Sequence, residues 1–164
     1  MSSVTIRIDD AALRTALAAM SAKLGNMQDV MDAIGSRLLN LARMGFLREQ
    51  APDGTPWKPL SNVTILARAK AKHWPGPILR VRGARGGLFG SLNYKPGPTS
   101  VEIGAGWGES AAYAAIHQFG GQAGRGHSVT IPARPYLPTS PLPDAYLQSC
   151  LDIINQHLAG AANG

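Results

Sequence analysis

The sequence predicts an α+β fold in which a mostly antiparallel sheet is packed by N-terminal helices and a C-terminal helix, with an extended proline-rich arm. Three observations predict it. Apolar residues recur at helical spacing in residues 1–50 and again in 144–158, whereas short alternating runs punctuated by glycine and proline fill the interval. The segment IPARPYL, residues 131–137, sets prolines on both sides of Ala133 and Arg134, which stiffens the chain into an arm. One domain is expected over residues 1–164: a helical part (1–50), a sheet-containing core (51–137), a linker (138–143) and the last helix.

Taken in order, VTIRI at 4–8 alternates as a strand, and Asp9 or Asp10 can cap the helix that follows. Leu13, Leu17, Met20 and Leu24 give that helix an apolar stripe, ended by Gly25. Asn26 can cap a second helix reaching Gln50, with Val30, Ile34, Leu38 and Leu41 as its stripe and Gly35 and Gly45 as weak points. The two should form a hairpin, the longer one covering the sheet.

Pro52, Asp53 and Gly54 spell a tight turn, and Trp57 between prolines reads as a packing anchor. Ser61 caps a short helix through Lys72. Residues 78–81 read as a strand, 88–92 as an apolar turn, 95–98 as a turn, and 101–103 as another strand leading into a glycine-rich loop around Trp107. Tyr113, Ile116 and Phe119 share one side of a helix that Gly120 and Gly121 stop, with Gln118 on another side. Residues 122–126 read as a mobile loop and 127–131 as a strand. Because proline donates no ladder bond, the arm after it lies at a sheet edge or leaves the sheet, displaying Arg134, Tyr136 and Leu137 to another chain. Leu147, Leu151, Ile154 and Leu158 line the last helix, and the tail frays from Ala159.

The formal net charge is +6 and is unevenly spread. Between residues 54 and 101 stand Lys58, Arg68, Lys70, Lys72, Arg80, Arg82, Arg85 and Lys95 with no Asp or Glu, a surface suited to DNA phosphate or an acidic partner. Catalytic chemistry lacks its usual constellations. His73, His117, His127 and His157 are scattered, Glu102 and Glu109 are the acids between Asp53 and Asp144, and RGARGG and GAGWG lack the flanks of a phosphate loop. The lone Cys150 forms no internal disulfide and fits a small buried hydrophobe. His117 on an alanine-rich helix reads as structural. No enzyme, metal or cofactor is expected, and no stretch approaches the roughly 20 apolar residues of a membrane span. The chain should stay in the cytoplasm where it is made, or leave it within an assembly.

Five blocks in succession, PDGTPWKPLS, ILR followed by a glycine and SL, VEIG, YAAIHQFGG and IPARPYL, resemble the virion morphogenesis or tail completion proteins of tailed phages, notably Mu-like ones. The likeness spans Phe46 to Leu137. It departs at VRGARGG, where relatives usually have a threonine-glycine pair, and at PTSPLP after Leu137. The resemblance implies a structural virion protein acting in tail completion and head–tail joining, as a ring of six in the neck around the DNA channel. Its partners would be copies of itself and other neck, tail-terminator or head-connector proteins. It would be made in the host cytoplasm, reside at the head–tail junction and have no catalytic residue.

The resemblance, together with the stiffness of the arm and the anchoring residue types Arg134 and Tyr136, nominates Tyr113, His117, Gln118, Phe119, Gly120, Gly121, Pro132, Arg134, Pro135, Tyr136 and Leu137 for the interface with a neighbour. The cations Lys58, Arg68, Lys70, Lys72, Arg80, Arg82 and Arg85 are nominated for packaged DNA or an acidic partner. On this reading, alanine at Arg134 and Tyr136 leaves the monomer folded and blocks its incorporation into particles. The alternative function is non-specific DNA binding through residues 54–101.

Overall fold

The computed structural model describes residues 4–6, 11–24, 27–81, 86–106 and 111–162. Its elements are β1 (Val4–Ile6), α1 (Ala11–Leu24), α2 (Gln28–Arg48), α3 (Asn62–Lys70), α4 (Gly87–Gly90), β2 (Asn93–Pro96), β3 (Val101–Ala105), α5 (Ala111–Phe119), β4 (Gly121–Ala123), β5 (Val129–Ile131) and α6 (Asp144–Ala162). The α+β class holds, with helix predominating. One antiparallel sheet has the order β1-β3-β2, and β4 and β5 form a separate antiparallel pair. The proposed caps at Asp9, Asp10 and Asn26, the stop at Gly25 and the loop at Trp107 lie outside the described residues.

Helix α2 is the centre of the fold. Its buried residues Val30, Ile34, Leu38, Ala42 and Phe46 follow helical spacing, so the stripe runs on to Phe46, and Leu41 is only half-buried. One side of α2 packs on β2 and β3, and α6 packs on it as well. The expected hairpin is replaced by another arrangement, in which α1 lies chiefly along α6. On α6 the buried line is Tyr146, Cys150 and Ile154; of the predicted stripe Ile154 is buried, whereas Leu147, Leu151 and Leu158 are partly buried. Burial pushes the Cys150 thiol up to about 11, which leaves it protonated and inert at neutral pH.

Gly35 is a packing requirement where the sequence suggested a weak point. The Tyr94 ring of β2 lies against its Cα, so that a Cβ there would penetrate the ring, while the Tyr94 hydroxyl donates to Asp32 Oδ1 at 3.0 Å. Gly35→Ala is expected to lose about 1–3 kcal/mol, the usual cost of overpacking, read as a lower urea midpoint with unchanged slope.

Strand β2 replaces the predicted turn at 95–98, because Asn93, Tyr94, Lys95 and Pro96 pair with Gly104, Ile103, Glu102 and Val101. The predicted strand at 78–81 is absent. Leu79 has φ 58°, incompatible with a strand, and the Ile78 N–H is taken at 2.7 Å by the Glu49 carboxylate. The predicted loop at 122–126 is partly ladder, with Gly121, Gln122 and Ala123 paired to Ile131, Thr130 and Val129. In the segment 138–143, Pro138 and Leu142 are buried while Thr139, Ser140 and Pro141 are exposed.

Candidate functional site

Helix α5 ends beside the arm, and the two are joined by backbone groups that neither can satisfy alone. Gly120 has φ 74°, and a Cβ on it would come within 2.9 Å of the Ala133 nitrogen, so glycine is needed for both the turn and the close approach. The Arg134 N–H then donates to the His117 carbonyl at 2.7 Å. Two residues further along, the side chain of Gln118 takes over. Its Oε1 accepts from the N–H groups of Tyr136 (3.0 Å) and Leu137 (3.1 Å), and its Nε2 donates to the Leu137 carbonyl (2.9 Å). One amide thus replaces the ladder partner that the arm lacks after leaving β5.

The arm is also held by the segment at residues 57–59. The Trp57 indole donates to the Pro135 carbonyl at 2.7 Å, confirming the packing anchor. Arg134 Nε and Nη2 donate to the carbonyls of Lys58 (2.8 Å) and Pro59 (2.9 Å). Tyr136 donates its hydroxyl to the Ala114 carbonyl at 2.9 Å and sets its ring 5.4 Å from that of Phe46, which also meets Trp57 at 5.2 Å and Phe89 at 5.4 Å. Three of the sequence blocks therefore form one internal knot.

This overturns the expectation that the arm displays its side chains. Gln118, Arg134, Tyr136 and Leu137 are all buried within the subunit. Their polar groups bond backbone within the subunit, namely the arm's own, that of Lys58 and Pro59, and the Ala114 carbonyl of α5. Pro135 is half-buried and contributes its carbonyl to Trp57. Phe119, by contrast, is 63% exposed, so the buried side of α5 carries Ala114 and Gln118 and the end of the predicted apolar side faces outward. Gly120 is half-buried and Gly121 exposed.

Beside the knot lies a cleft of about 550 Å³. Leu79, Leu88, Tyr113 and Ile131 supply apolar lining, and Lys58, Arg68 and Arg134 supply positive charge. Tyr113, His117 and Pro132 are the remaining nominated residues found there. Leu79, Leu88 and Val129 were missed, because nothing local in the sequence shows that 79–88 and 129–132 converge.

His117 is held neutral in the cleft wall. Burial, followed by the charges of Arg134 and Arg68, pushes its pKa down to about 4, and its Nδ1 is buried with no hydrogen-bond partner. The unfolded chain therefore binds a proton that the native state refuses between about pH 6.5 and 4. Stability is expected to fall as pH drops through that window, and His117→Asn should flatten the fall in urea midpoints measured against pH.

Among the described residues of the basic segment, Arg68 and Arg80 are engaged within the subunit. Arg68 lies beside Glu49 and donates from Nη1 to the Pro77 carbonyl at 2.8 Å, while Arg80 stacks over Phe89 at 5.7 Å with its Nε buried. Lys58, Lys70, Lys72 and Lys95 are exposed, and Lys95 stands opposite Glu102 in register. Arg82 and Arg85 lie outside the described residues. Helix α3, capped by Ser61 Oγ accepting from the Thr64 N–H as predicted, buries none of its residues and exposes Val63 and Leu66. Among the described residues no three His, Cys, Asp or Glu side chains group to hold a metal, and no helix is long and apolar enough to cross a membrane.

Comparison with known proteins agrees with the order of the blocks. The profile of a phage virion morphogenesis family matches residues 8–159. The "Mu-like prophage FluMu G protein 2" of Haemophilus influenzae is 60% identical over 38 residues, which cover 23% of this chain and 28% of that protein. The match thus spans under a third of the relative's length. No solved structure matches.

Proposed function

Because the chain belongs to the phage virion morphogenesis family, we propose that it is a structural, non-catalytic virion component that completes the tail and joins it to the head, assembled as a ring in the neck around the DNA channel. The family match across residues 8–159 is the observation that carries this reading. The fold supports it in a second way. The knot ties the arm into the subunit, and surfaces left for neighbours among the described residues include the cleft, the exposed Phe119 and the bare face of α3. Distinct surfaces of this kind suit the heterologous contacts from which closed rings are built.

The test is electron microscopy of lysates from the source phage carrying a stop codon in this gene. Filled heads beside separate, unjoined tails are the expected result. Normal infectious particles would remove the structural role.

A further inference from the structure

Strand β5 lies in the cleft wall and, among the described residues, pairs with no strand other than β4. Val129, Thr130 and Ile131 all line the cleft, although alternate side chains of a strand point to opposite faces. Thr130 turns its hydroxyl to Gln122 Oε1 of β4 at 3.2 Å, so its share of the cleft wall is main chain. One edge of β5 is occupied by β4, and a two-stranded pair, most of whose residues are exposed here, is marginal by itself. We infer that the cleft takes up an extended, acidic segment of another virion polypeptide, which adds to β5 as a third strand and places a large apolar side chain against Leu79, Leu88 and Tyr113.

Charge selects the acidic character. Lys58, Arg68 and Arg134 line the cleft, and among the described residues no carboxylate does. Glu49, the acid beside Arg68, stands outside the lining and holds the Ile78 N–H. Two of the three cations direct donors to carbonyls of their own chain, so they act on the occupant as a fixed positive field, with exposed Lys58 as the contact at the rim. The same arrangement disfavours duplex DNA, because a phosphate backbone cannot reach a buried Arg134 across an apolar floor. Strand addition uses both features together, taking affinity from main-chain hydrogen bonds and selectivity from the pocket for alternate side chains.

The inference rests on the virion role proposed above, and the experiment separates the two. Val129, half-exposed on the cleft wall, is replaced by the photo-cross-linker p-benzoylphenylalanine in the phage, particles are purified and irradiated, and the joined peptides are identified by mass spectrometry. The expected product links position 129 to an acidic stretch of a different virion protein, and Lys58→Glu lowers its yield by roughly fivefold, the order of one rim ion pair lost. Lys58 is exposed, so the substitution leaves the fold intact. Particles that contain the chain but yield a link to a second copy of it, to DNA, or to nothing overturn the strand-addition inference and leave the virion role standing. Particles that lack the chain altogether overturn both.

Discussion

Replacing Gln118 with methionine is expected to lower the unfolding free energy by about 3 kcal/mol or more, although the two side chains are alike in length and volume. The substitution leaves three buried backbone groups without partners, the N–H of Tyr136 and both the N–H and carbonyl of Leu137. Each stranded group costs roughly 1–3 kcal/mol, so even the low end of the range is a large fraction of a domain's total stability. Because shape is preserved, the loss isolates the hydrogen bonds from any cavity. Urea unfolding of Gln118→Met against wild type reads it directly. A loss under about 1 kcal/mol would mean that water replaces the amide, and that the arm is held by its apolar contacts alone.

The second large effect concerns Arg134 and Tyr136. Tyr136→Ala removes a ring that is 1% exposed and packed on Phe46, and such aromatic truncations cost about 3–5 kcal/mol. Tyr136→Phe, which gives up only the bond to the Ala114 carbonyl, should cost about 1 kcal/mol. Arg134→Ala strands the Lys58 and Pro59 carbonyls, and Arg134→Lys fails to restore both because an ammonium lacks the guanidinium's fixed fork. The double alanine variant is expected to be largely unfolded, seen as lost helical circular dichroism in the purified protein. Its absence from particles would then report a folding defect and not a lost interface, which reverses the expectation drawn from residue type alone. Exposed positions such as Phe119 and Val129 are where docking can be tested without that confusion.

Local chemistry explains what was legible in the sequence. The Asp53 turn, in which the carboxylate accepts from the Thr55 N–H at 2.9 Å, the Ser61 cap, the Trp57 anchor and the periodicity of α2 are each decided within a few residues. What misled were segments whose state is set by distant partners. Strand β2 contains Asn, Lys and Pro, poor strand formers, and is a strand because β3 pairs with it. Residues 78–81 have the composition of a strand, yet the Glu49 carboxylate captures the Ile78 N–H. The arm is the clearest case. Arg and Tyr beside proline are interface residue types, and their burial depends on Trp57 and Lys58, which stand 78 and 76 residues earlier than their partners Pro135 and Arg134. The family blocks were recognisable, but not that they clasp one another.

That separation along the chain has a consequence for the order of events in an infected cell. The segment 57–59 leaves the ribosome long before residues 134–137, and contacts so far apart in sequence form late. Until they form, the cleft lacks Arg134 and its β5 wall, so a nascent or prematurely terminated chain has no complete surface to offer. A chain that stops before residue 134 can therefore close neither the knot nor the cleft, so both features report that synthesis has passed that point.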